Sequence, residues 1–370
     1  MYQFYIIVWW SFIILLDASL ALKTKRFLIL NKHLGFLVIV SVAFWCLFEL
    51  VNLRLQNWFY INVPYRANFR VAGYILAFGT VIPAIYLVKE ILSHFIPDIK
   101  VKPINLSHYP AYVIPLGIVC LVLSLIFPTY FFSVAWVFLA FIVDGYNYRK
   151  GYPSFGRDIE RGSLKQIIAA SLSGMICGFL WELWNYWSIT KWVYTVPYFE
   201  DLKIFEMPLL GYLGFAFFAI ETIAFTNLLD SNPFVARSRW SVSLFALAFS
   251  LFSFFLIDRH TVFSYVPTIS RLPFLSLTTQ RELEKKRIKT SYTIDPRMLS
   301  REERESLALM QLKGLGLENF IRLREQGVHT VKGLSELDLH RFSSIIGEDN
   351  LRRVRVYMKA ARSHSRMQES

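Results

Sequence analysis

The sequence predicts an all-α, polytopic helical membrane protein built from two parallel repeats of four spans and a small C-terminal helical domain, with a ninth span as an alternative. Of the 370 residues, 55% are hydrophobic, and a mean hydropathy of +0.40 is rare for a soluble protein of this length. Aromatic residues make up 17% of the chain, as expected for belts at the two membrane interfaces. The net charge of +13 is shared between basic loops and a basic C-terminal region.

The individual spans follow from length and hydropathy, because a spanning helix needs about 20 mostly apolar residues. Eight stretches meet this requirement: Tyr2 to Ala21, His33 to Leu53, Val71 to Leu92, Pro110 to Phe127, Tyr130 to Tyr146, Lys165 to Trp187, Met207 to Leu229 and Trp240 to Ile257. The fourth and fifth are separated by little more than two residues and therefore form an antiparallel hairpin. Thr261 to Leu277 is a poor candidate for a ninth span, since it contains two prolines and an arginine.

Matched landmarks on successive spans indicate an internal duplication, with residues 1–127 and 128–260 as the two repeats. The landmarks recur at offsets of 127, 133 and 138 residues, and the pairs are Trp9 with Trp136, Asp17 with Asp144, Glu49 with Glu182, Asn52 with Asn185, and Gly73-Tyr74 with Gly211-Tyr212. An even number of spans in each repeat gives both the same orientation, so we expect a symmetry axis along the membrane normal.

Loop charges predict the orientation of the spans. The loops after the first, third and fifth spans are rich in Lys and Arg, which favours the cytoplasmic side. We therefore expect an integral protein of a bacterial cytoplasmic membrane with its N-terminus outside. Glu49 and Glu182 then lie near the outer face, and Asp17 and Asp144 near the inner face. Eight spans would also leave the C-terminal region outside, unless the ninth span forms.

The duplicated motif is the main functional candidate. It places a Glu three residues before an Asn on one helix face, followed by a Trp-x-Tyr pair. Ionisable groups at a bilayer are costly and point to a function. Burial disfavours the charged form of a carboxyl group, so Glu49 and Glu182 are candidate catalytic acids and bases. The candidate substrate-binding residues are Asn52, Trp58, Tyr60, Asn185, Trp192 and Tyr194. The alternative is that each Glu accepts hydrogen bonds from its neighbours and fixes a loop.

Three further carboxylates lie in or beside the spans. Glu221 lies inside the seventh span and has Pro83 as its counterpart in the first repeat, so it breaks the symmetry. It is a third catalytic candidate, or else a satisfied buried acid. Asp17 and Asp144 each end a span and precede a basic loop, which favours a structural pairing with that loop over a relay with Glu221. The three cysteines match no metal-binding spacing, and we expect neither a metal nor a cofactor.

The C-terminal region divides into a basic linker, residues 261–305, and a small helical domain, residues 306–362. The stretch Leu312-Lys313-Gly314-Leu315-Gly316 resembles the hairpin of the helix-hairpin-helix family, although Phe320 stands where that family usually has a small residue. The resemblance implies that backbone N–H groups at Gly314 and Gly316, with Lys313, contact nucleic-acid phosphates. Many such modules serve only as protein contacts, so the expected partner is DNA or a protein.

The membrane part also resembles a known family. The series Trp192-Val193-Tyr194, Pro208-Leu209 and Glu221 is similar to the lycopene cyclase domain. Members of that family are small duplicated membrane proteins that protonate a polyene with carboxylates and need no redox change. The chain departs from the family in having four spans per repeat rather than three, and in lacking the Glu-Glu pair after Pro208.

These observations leave three functional hypotheses. The first is an intramembrane enzyme that acts on an isoprenoid or another membrane lipid by carboxylate acid/base chemistry. The second is a membrane-anchored scaffold whose C-terminal module binds nucleic acid or protein. The third is a proton-coupled transporter, which the carboxylates at both faces would suit. The duplicated motif favours the first.

Overall fold

The protein is an integral membrane protein whose fold is almost entirely α-helical. The structure, a computed structural model, describes residues 3–198 and 202–369, so Tyr2, where the first predicted span begins, lies outside the described residues. Within those ranges eight helical segments are long and apolar enough to cross a membrane, which confirms the predicted spans. Their helices are α1 (Phe4–Thr24), α2 (Leu34–Leu55), α3 (Ala67–Phe78) with α4 (Val81–Phe95), α5 (Tyr109–Ile126), α6 (Pro128–Phe131) with α7 (Phe138–Lys150), α9 (Lys165–Trp187), α10 (Tyr212–Ser231) and α12 (Arg239–His260).

The short elements between these helices complete the membrane part. They are the helices α8 (Phe155–Glu160) and α11 (Pro233–Arg237) and the strands β1 (Trp58–Ile61), β2 (Val63–Pro64), β3 (Lys191–Tyr194), β4 (Lys203–Ile204), β5 (Met207–Pro208) and β6 (Tyr265–Val266). The segment Thr261 to Leu277 holds β6 and a short 3-10 helix, Ile269–Arg271, so the possible ninth span does not form.

Two spans are interrupted, and a polar side chain from another span satisfies the freed backbone groups at each break. Between α3 and α4, the Ser41 hydroxyl donates to the carbonyl oxygen of Phe78 at 2.8 Å and accepts from the Ile82 N–H at 3.1 Å. The fifth span changes to a 3-10 helix at Phe132–Trp136 before α7 begins, and Glu221 accepts from the first turn of α7. Such partners are needed because a bilayer offers no water to satisfy the backbone.

Small residues bring α9 and α10 close together. A Cβ atom added to Gly174 would collide with the carbonyl oxygen of Phe215, and one added to Gly178 would collide with the Phe215 ring. The GxxxG pattern in α9 therefore serves helix packing within this chain.

The central feature of the membrane part is a two-stranded antiparallel ribbon formed by β1 and β3. Its register pairs Trp58 with Tyr194 and Tyr60 with Trp192, and Phe59 with Val193 between them. The two Trp-x-Tyr motifs thus meet residue for residue across the ribbon, each Trp facing the Tyr of the other motif.

The C-terminal module packs on the ribbon. It contains α13 (Leu277–Lys285), α14 (Arg301–Gln311), α15 (Leu317–Glu325), α16 (Val331–Ser335), α17 (Leu339–Ile346) and α18 (Leu351–Glu369). Its hydrophobic core extends from Ile269 to Ala361 and includes Phe59 and Val193 of the ribbon. The segment that composition suggests is a basic linker contributes buried Leu283 to the same core. A capping box between Ser300 and Glu303 begins α14.

Candidate functional site

The ribbon presents its two faces to different surroundings, because successive strand residues point to opposite sides. Trp58, Tyr60, Trp192 and Tyr194 line a cavity in the membrane part. Phe59, which lies between Trp58 and Tyr60, is fully buried in the core of the C-terminal module. The duplicated aromatic residues therefore form one wall of the cavity, and the module forms the far side of that wall.

Glu49 lies behind this aromatic wall and is fully buried. Its Oε1 accepts hydrogen bonds from the indole N–H groups of Trp45 at 2.8 Å and Trp58 at 3.1 Å, and from the Tyr60 hydroxyl at 2.5 Å. Its Oε2 has no hydrogen-bond partner among the described residues. Glu49 is not one of the described cavity-lining residues, so a molecule in the cavity would reach it through Tyr60.

Glu182 repeats the arrangement with fewer donors. It is also fully buried, and its Oε1 accepts from the Tyr194 hydroxyl at 2.8 Å. Oε2 of Glu182 has no partner in the part of the chain that the structure describes. Tyr194 lines the cavity and Glu182 does not, as for the first pair. The site thus holds two tyrosine–glutamate pairs with the tyrosines in front.

The two motif asparagines hold the ribbon in place. The Asn52 amide donates to the carbonyl oxygen of Trp58 at 2.9 Å and accepts from the Asn57 N–H at 2.8 Å. The Asn185 amide both donates to and accepts from the backbone of Trp192, at 3.0 Å each. Both asparagines are fully buried and outside the described cavity lining, so they are placed to orient the aromatic residues and not to touch a ligand.

The cavity has a volume of about 1420 Å³ and a mostly apolar lining. Two sets of residues, one from residues 1–127 and one from residues 128–260, contribute to it. These are residues 3–7 and 130–133, residues 58–64 and 192–198, and residues 69–78 and 207–215. Several lining residues on or beside the spanning helices are solvent-accessible, so the cavity is open between these helices: Ile7, Phe69, Leu76, Tyr130, Leu210, Leu213 and Phe217.

Aromatic contacts connect the two halves reciprocally. Trp9 of α1 lies 5.5 Å, between ring centroids, from Trp181 of the second motif. Trp136, its counterpart in the second half, lies 5.7 Å from Phe48 of the first motif. The first span therefore packs against the motif around Glu182, and the fifth span packs against the motif around Glu49.

Burial determines the protonation of the two cavity tyrosines. Desolvation, and next the nearby Glu49 carboxyl group, raise the pKa of Tyr60 well above its usual value. Desolvation and then Glu182 do the same to the pKa of Tyr194. Both phenols therefore remain protonated at neutral pH and act as hydrogen-bond donors to the glutamates.

Glu221 lies away from the cavity lining and caps a helix inside the membrane. Its Oε1 accepts from the N–H groups of Leu139 at 3.0 Å and Ala140 at 3.4 Å, in the first turn of α7. The side chain is fully buried. These contacts give the carboxylate a structural role at the break in the fifth span, where α7 begins.

Asp17 and Asp144 make similar contacts at the other end of the spans. The Asp17 carboxylate accepts from three successive backbone N–H groups, those of residues 28–30, at 2.7–3.0 Å. Asp144 accepts from the N–H groups of Phe155 at 2.7 Å and Gly156 at 2.9 Å. Each Asp thus holds the backbone of the segment that follows its span.

The helix-hairpin-helix-like hairpin faces the protein itself. A Cβ atom added to Gly314 would lie 2.7 Å from the Ile61 side chain, and one added to Gly316 would lie 2.5 Å from that of Ser264. The N–H groups of Leu315 and Gly316 donate to carbonyl oxygens within the module, at 2.9 Å each. The hairpin amides predicted to contact phosphates are therefore already in use or covered in this structure.

Lys313 also faces the membrane part. Its ammonium group lies 2.8 Å from Oε1 of Glu206, whose side chain is 6% exposed. This ion pair holds the hairpin against the segment between β4 and β5. Lys313, which the resemblance implies would contact a phosphate, is therefore already paired with a carboxylate.

Sequence reasoning missed some residues of the site. Tyr5 lies 5.5 Å from Trp192, and Trp136 lies 5.9 Å from Trp58, between ring centroids, and both line the cavity. The signal available in the sequence was the predicted match of Trp9 with Trp136 at an offset of 127, which pairs Tyr5 with Phe132. Arg70 also lines the cavity, and its guanidinium is paired with Asp258 at 2.6 Å.

The fold and the site together define a polytopic membrane protein with a laterally open aromatic cavity and two tyrosine–glutamate pairs. Comparison of the chain with protein-family models, curated proteins and solved structures finds no match. Among the described residues, no group of three or more His, Cys, Asp or Glu side chains is arranged to hold a metal ion.

Proposed function

We propose that the protein is an intramembrane enzyme that moves protons on an isoprenoid or another membrane lipid. One observation carries the proposal: Tyr60 and Tyr194 line a single apolar cavity while their hydroxyls donate to buried glutamates. Few polar groups face this cavity, and a mostly apolar site that holds a few polar groups is typical of a ligand site.

The chemistry that suits this arrangement needs one proton donor and one proton acceptor. At one pair, a proton held by the glutamate passes through the tyrosine hydroxyl to one carbon of a double bond, which leaves a cation on the neighbouring carbon. At the other pair, the tyrosine takes a proton from the next carbon while its own proton passes to the glutamate carboxylate. The double bond re-forms one position along, and no oxidant or reductant is consumed. Proton exchange with water then returns the first glutamate to its acid form and the second to its carboxylate form.

The aromatic lining supports the cationic stage of this reaction. The faces of tryptophan rings attract a positive charge, and the cavity wall contains Trp58, Trp136 and Trp192. Tyr60 and Tyr194 are then the groups that touch the substrate, and Glu49 and Glu182 act through them.

Lateral openings support a substrate that is dissolved in the bilayer. Phe69 on α3 is 55% exposed and Leu213 on α10 is 56% exposed, and both also line the cavity. An apolar molecule could enter between the helices without crossing an aqueous phase.

The same proposal includes a duplicated origin and an orientation. Matching positions in the lining and the reciprocal Trp9 and Trp136 contacts support two equivalent halves. The basic loops support an N-terminus outside a bacterial cytoplasmic membrane. Because the C-terminal module packs on the ribbon at the ends of α2 and α9, it lies on the same side as the N-terminus.

The other two hypotheses are less well supported. A nucleic-acid scaffold would need the hairpin amides that pack against Ile61 and Ser264. A transporter of the inverted- or parallel-repeat kind is expected to have broken helices at matching positions in its halves. Here the broken spans are the third of the first half and the first of the second half.

The test uses heavy water, because deuterium labelling works even when the substrate has not been identified. Purified protein is reconstituted into vesicles made from the total lipid extract of the cells that produced it, and the vesicles are incubated in D2O. The lipids are then extracted, returned to H2O and analysed by mass spectrometry. We expect one lipid class to gain carbon-bound deuterium with the wild type, and Glu49→Gln or Glu182→Gln to lower the rate by about 100-fold or more.

A matched control is Glu90→Gln, which makes the same chemical change on α4 at a glutamate that pairs with Lys89. This variant should label lipid at the wild-type rate. Wild-type protein that labels no lipid class, or folded Glu49→Gln and Glu182→Gln variants that label as fast as the control, would contradict the proposal.

A further inference from the structure

The ribbon belongs to two hydrophobic cores at once. Phe59 and Val193 form one of its two inner cross-strand pairs, and both are buried in the core of the C-terminal module. The residues beside Phe59, namely Trp58 and Tyr60, are buried in a separate cluster of the membrane part. Phe59 and the cavity-lining residues Trp58 and Tyr60 belong to the same four-residue strand. A displacement of Phe59 therefore also moves the cavity wall.

The module contacts this pair directly. The Phe59 ring lies 5.5 Å from the ring of Phe263 and 6.3 Å from that of Tyr357, between centroids. The guanidinium of Arg353 lies 5.4 Å from the Phe59 ring centroid. Tyr357 is itself fully buried and stacks on Phe263 at 4.8 Å. These rings form a continuous contact from α18 of the module to β1.

The backbone of Tyr60 is fixed from the same direction. Its N–H donates to the carbonyl oxygen of Thr261 at 2.7 Å, and its carbonyl oxygen accepts from the Phe263 N–H at 2.8 Å. Thr261 follows the end of α12, where the chain leaves the membrane part for the module. The segment that joins the two parts thus pairs with the strand that carries Tyr60.

We propose that the C-terminal module controls the geometry of the two tyrosine–glutamate pairs, with Phe59, Val193 and Tyr357 as positioning residues. The packing of the module sets the position of the ribbon, and the ribbon sets the distance from Tyr60 to Glu49. This gives the module a task inside the chain that does not require its hairpin to bind DNA. The consequence for turnover rests on the proposed function, but the geometric coupling does not.

The coupling can be measured without a substrate. Fluorotyrosine is incorporated at position 60 of the full-length protein in nanodiscs, and its fluorine NMR resonance reports the hydrogen bond to Glu49. We expect Tyr357→Leu, a change in the module that touches no cavity residue, to shift this resonance. Tyr357→Phe keeps the ring packing and should restore the wild-type resonance.

The matched control is Phe320→Leu. Phe320 is also fully buried in the module core, and its ring partner among the described residues is Phe274, at 5.3 Å, which is not part of the ribbon. This variant should leave the resonance at position 60 unchanged. A folded Tyr357→Leu variant with the wild-type resonance, or equal shifts in Tyr357→Leu and Phe320→Leu, would overturn the proposal.

Turnover is then measured with the heavy-water assay. A misplacement of about 1 Å at a reacting group lowers rates by about 100-fold, so Tyr357→Leu should label lipid far more slowly than Phe320→Leu. If the resonance shifts but wild-type protein labels no lipid, the coupling holds and the enzyme proposal fails. If wild-type protein labels lipid and Tyr357→Leu labels it equally fast with an unshifted resonance, the enzyme proposal holds and the coupling fails.

Discussion

Substitutions at Glu221 separate a helix-capping role of this carboxylate from a catalytic one. Glu221 accepts from the N–H groups of Leu139 and Ala140, at the point where α7 begins within the membrane part. Glu221→Ala removes the acceptor from both. Glu221→Gln keeps an oxygen at the same reach but cannot exchange a proton as a carboxyl group does.

The magnitude follows from the two contacts. A buried donor that loses its partner costs about 1–3 kcal/mol. The bond to Leu139 has a normal length of 3.0 Å, whereas the bond to Ala140 is long at 3.4 Å and counts for less. We therefore expect Glu221→Ala to lower the free energy of unfolding by about 2–4 kcal/mol. Glu221→Gln should change it by less than about 1 kcal/mol, since an amide oxygen also accepts.

The assay combines unfolding of the purified protein in detergent with deuterium labelling of lipid. Thr222→Ala is the control on the same helix, because its hydroxyl bonds only to the carbonyl oxygen of Phe218 one turn away. If Glu221→Gln is as unstable as Glu221→Ala, the side-chain oxygen of Glu221 does not stabilise the protein by capping α7. If Glu221→Gln is stable but transfers no deuterium, Glu221 belongs to the acid/base chemistry.

Three further predictions concern contacts in the C-terminal module and beside the cavity. Gly314 has φ of +68° and faces the end of β1, so Gly314→Val should destabilise the protein by more than Gly327→Val, whose φ is +79° but which has no neighbour within 4 Å. Asp258→Asn leaves the partly buried Arg70 without its charge partner and should cost about 1–3 kcal/mol of unfolding free energy. Burial alone would raise the pKa of Glu303, but hydrogen bonds from backbone N–H groups lower this pKa overall. The Glu303 carboxylate therefore stabilises the folded module at pH values above the usual Glu pKa. This contribution is lost as the pH falls through the lowered pKa.

Thermal unfolding of the full-length variants checks all three. Equal losses for Gly314→Val and Gly327→Val would mean that the hairpin does not rest on β1. The control for the ion pair is Asp295→Asn, which breaks an exposed pair with Arg297 and should cost less than Asp258→Asn. For Glu303, the slope of stability against pH in the acid range should be smaller in Glu303→Gln than in the wild type, and an unchanged slope would contradict the assignment.

The eight spans could be predicted because length and hydropathy are local properties of the sequence. Their breaks could not be predicted, since the compensating groups are remote. Ser41 lies on α2 and bridges the gap between α3 and α4, while Glu221 on α10 begins α7. The nearby Pro83 does not mark the break, because it lies inside α4, after the end of α3 at Gly79.

The candidate site was predictable in its residue types and less so in its arrangement. The spacing of two between Trp58 and Tyr60 puts both on one face of a strand. That this strand would pair with residues 191–194 depends on contacts across more than 100 residues of sequence, which no local pattern encodes. For the same reason, the sequence does not reveal that Tyr60 stands between Glu49 and the cavity.

The ribbon also accounts for the presence of the C-terminal module on a membrane protein. A two-stranded ribbon is marginally stable alone in water and needs a hydrophobic face to pack against. The face that carries Tyr60 and Tyr194 lines an open cavity of about 1420 Å³ and so has incomplete packing. The opposite face, with Phe59 and Val193, is the one that a complete core can hold, and the module supplies that core. A ligand-sized cavity beside a short ribbon therefore requires support from outside the membrane part, and this requirement explains why the hairpin of the module is turned inward onto Ile61.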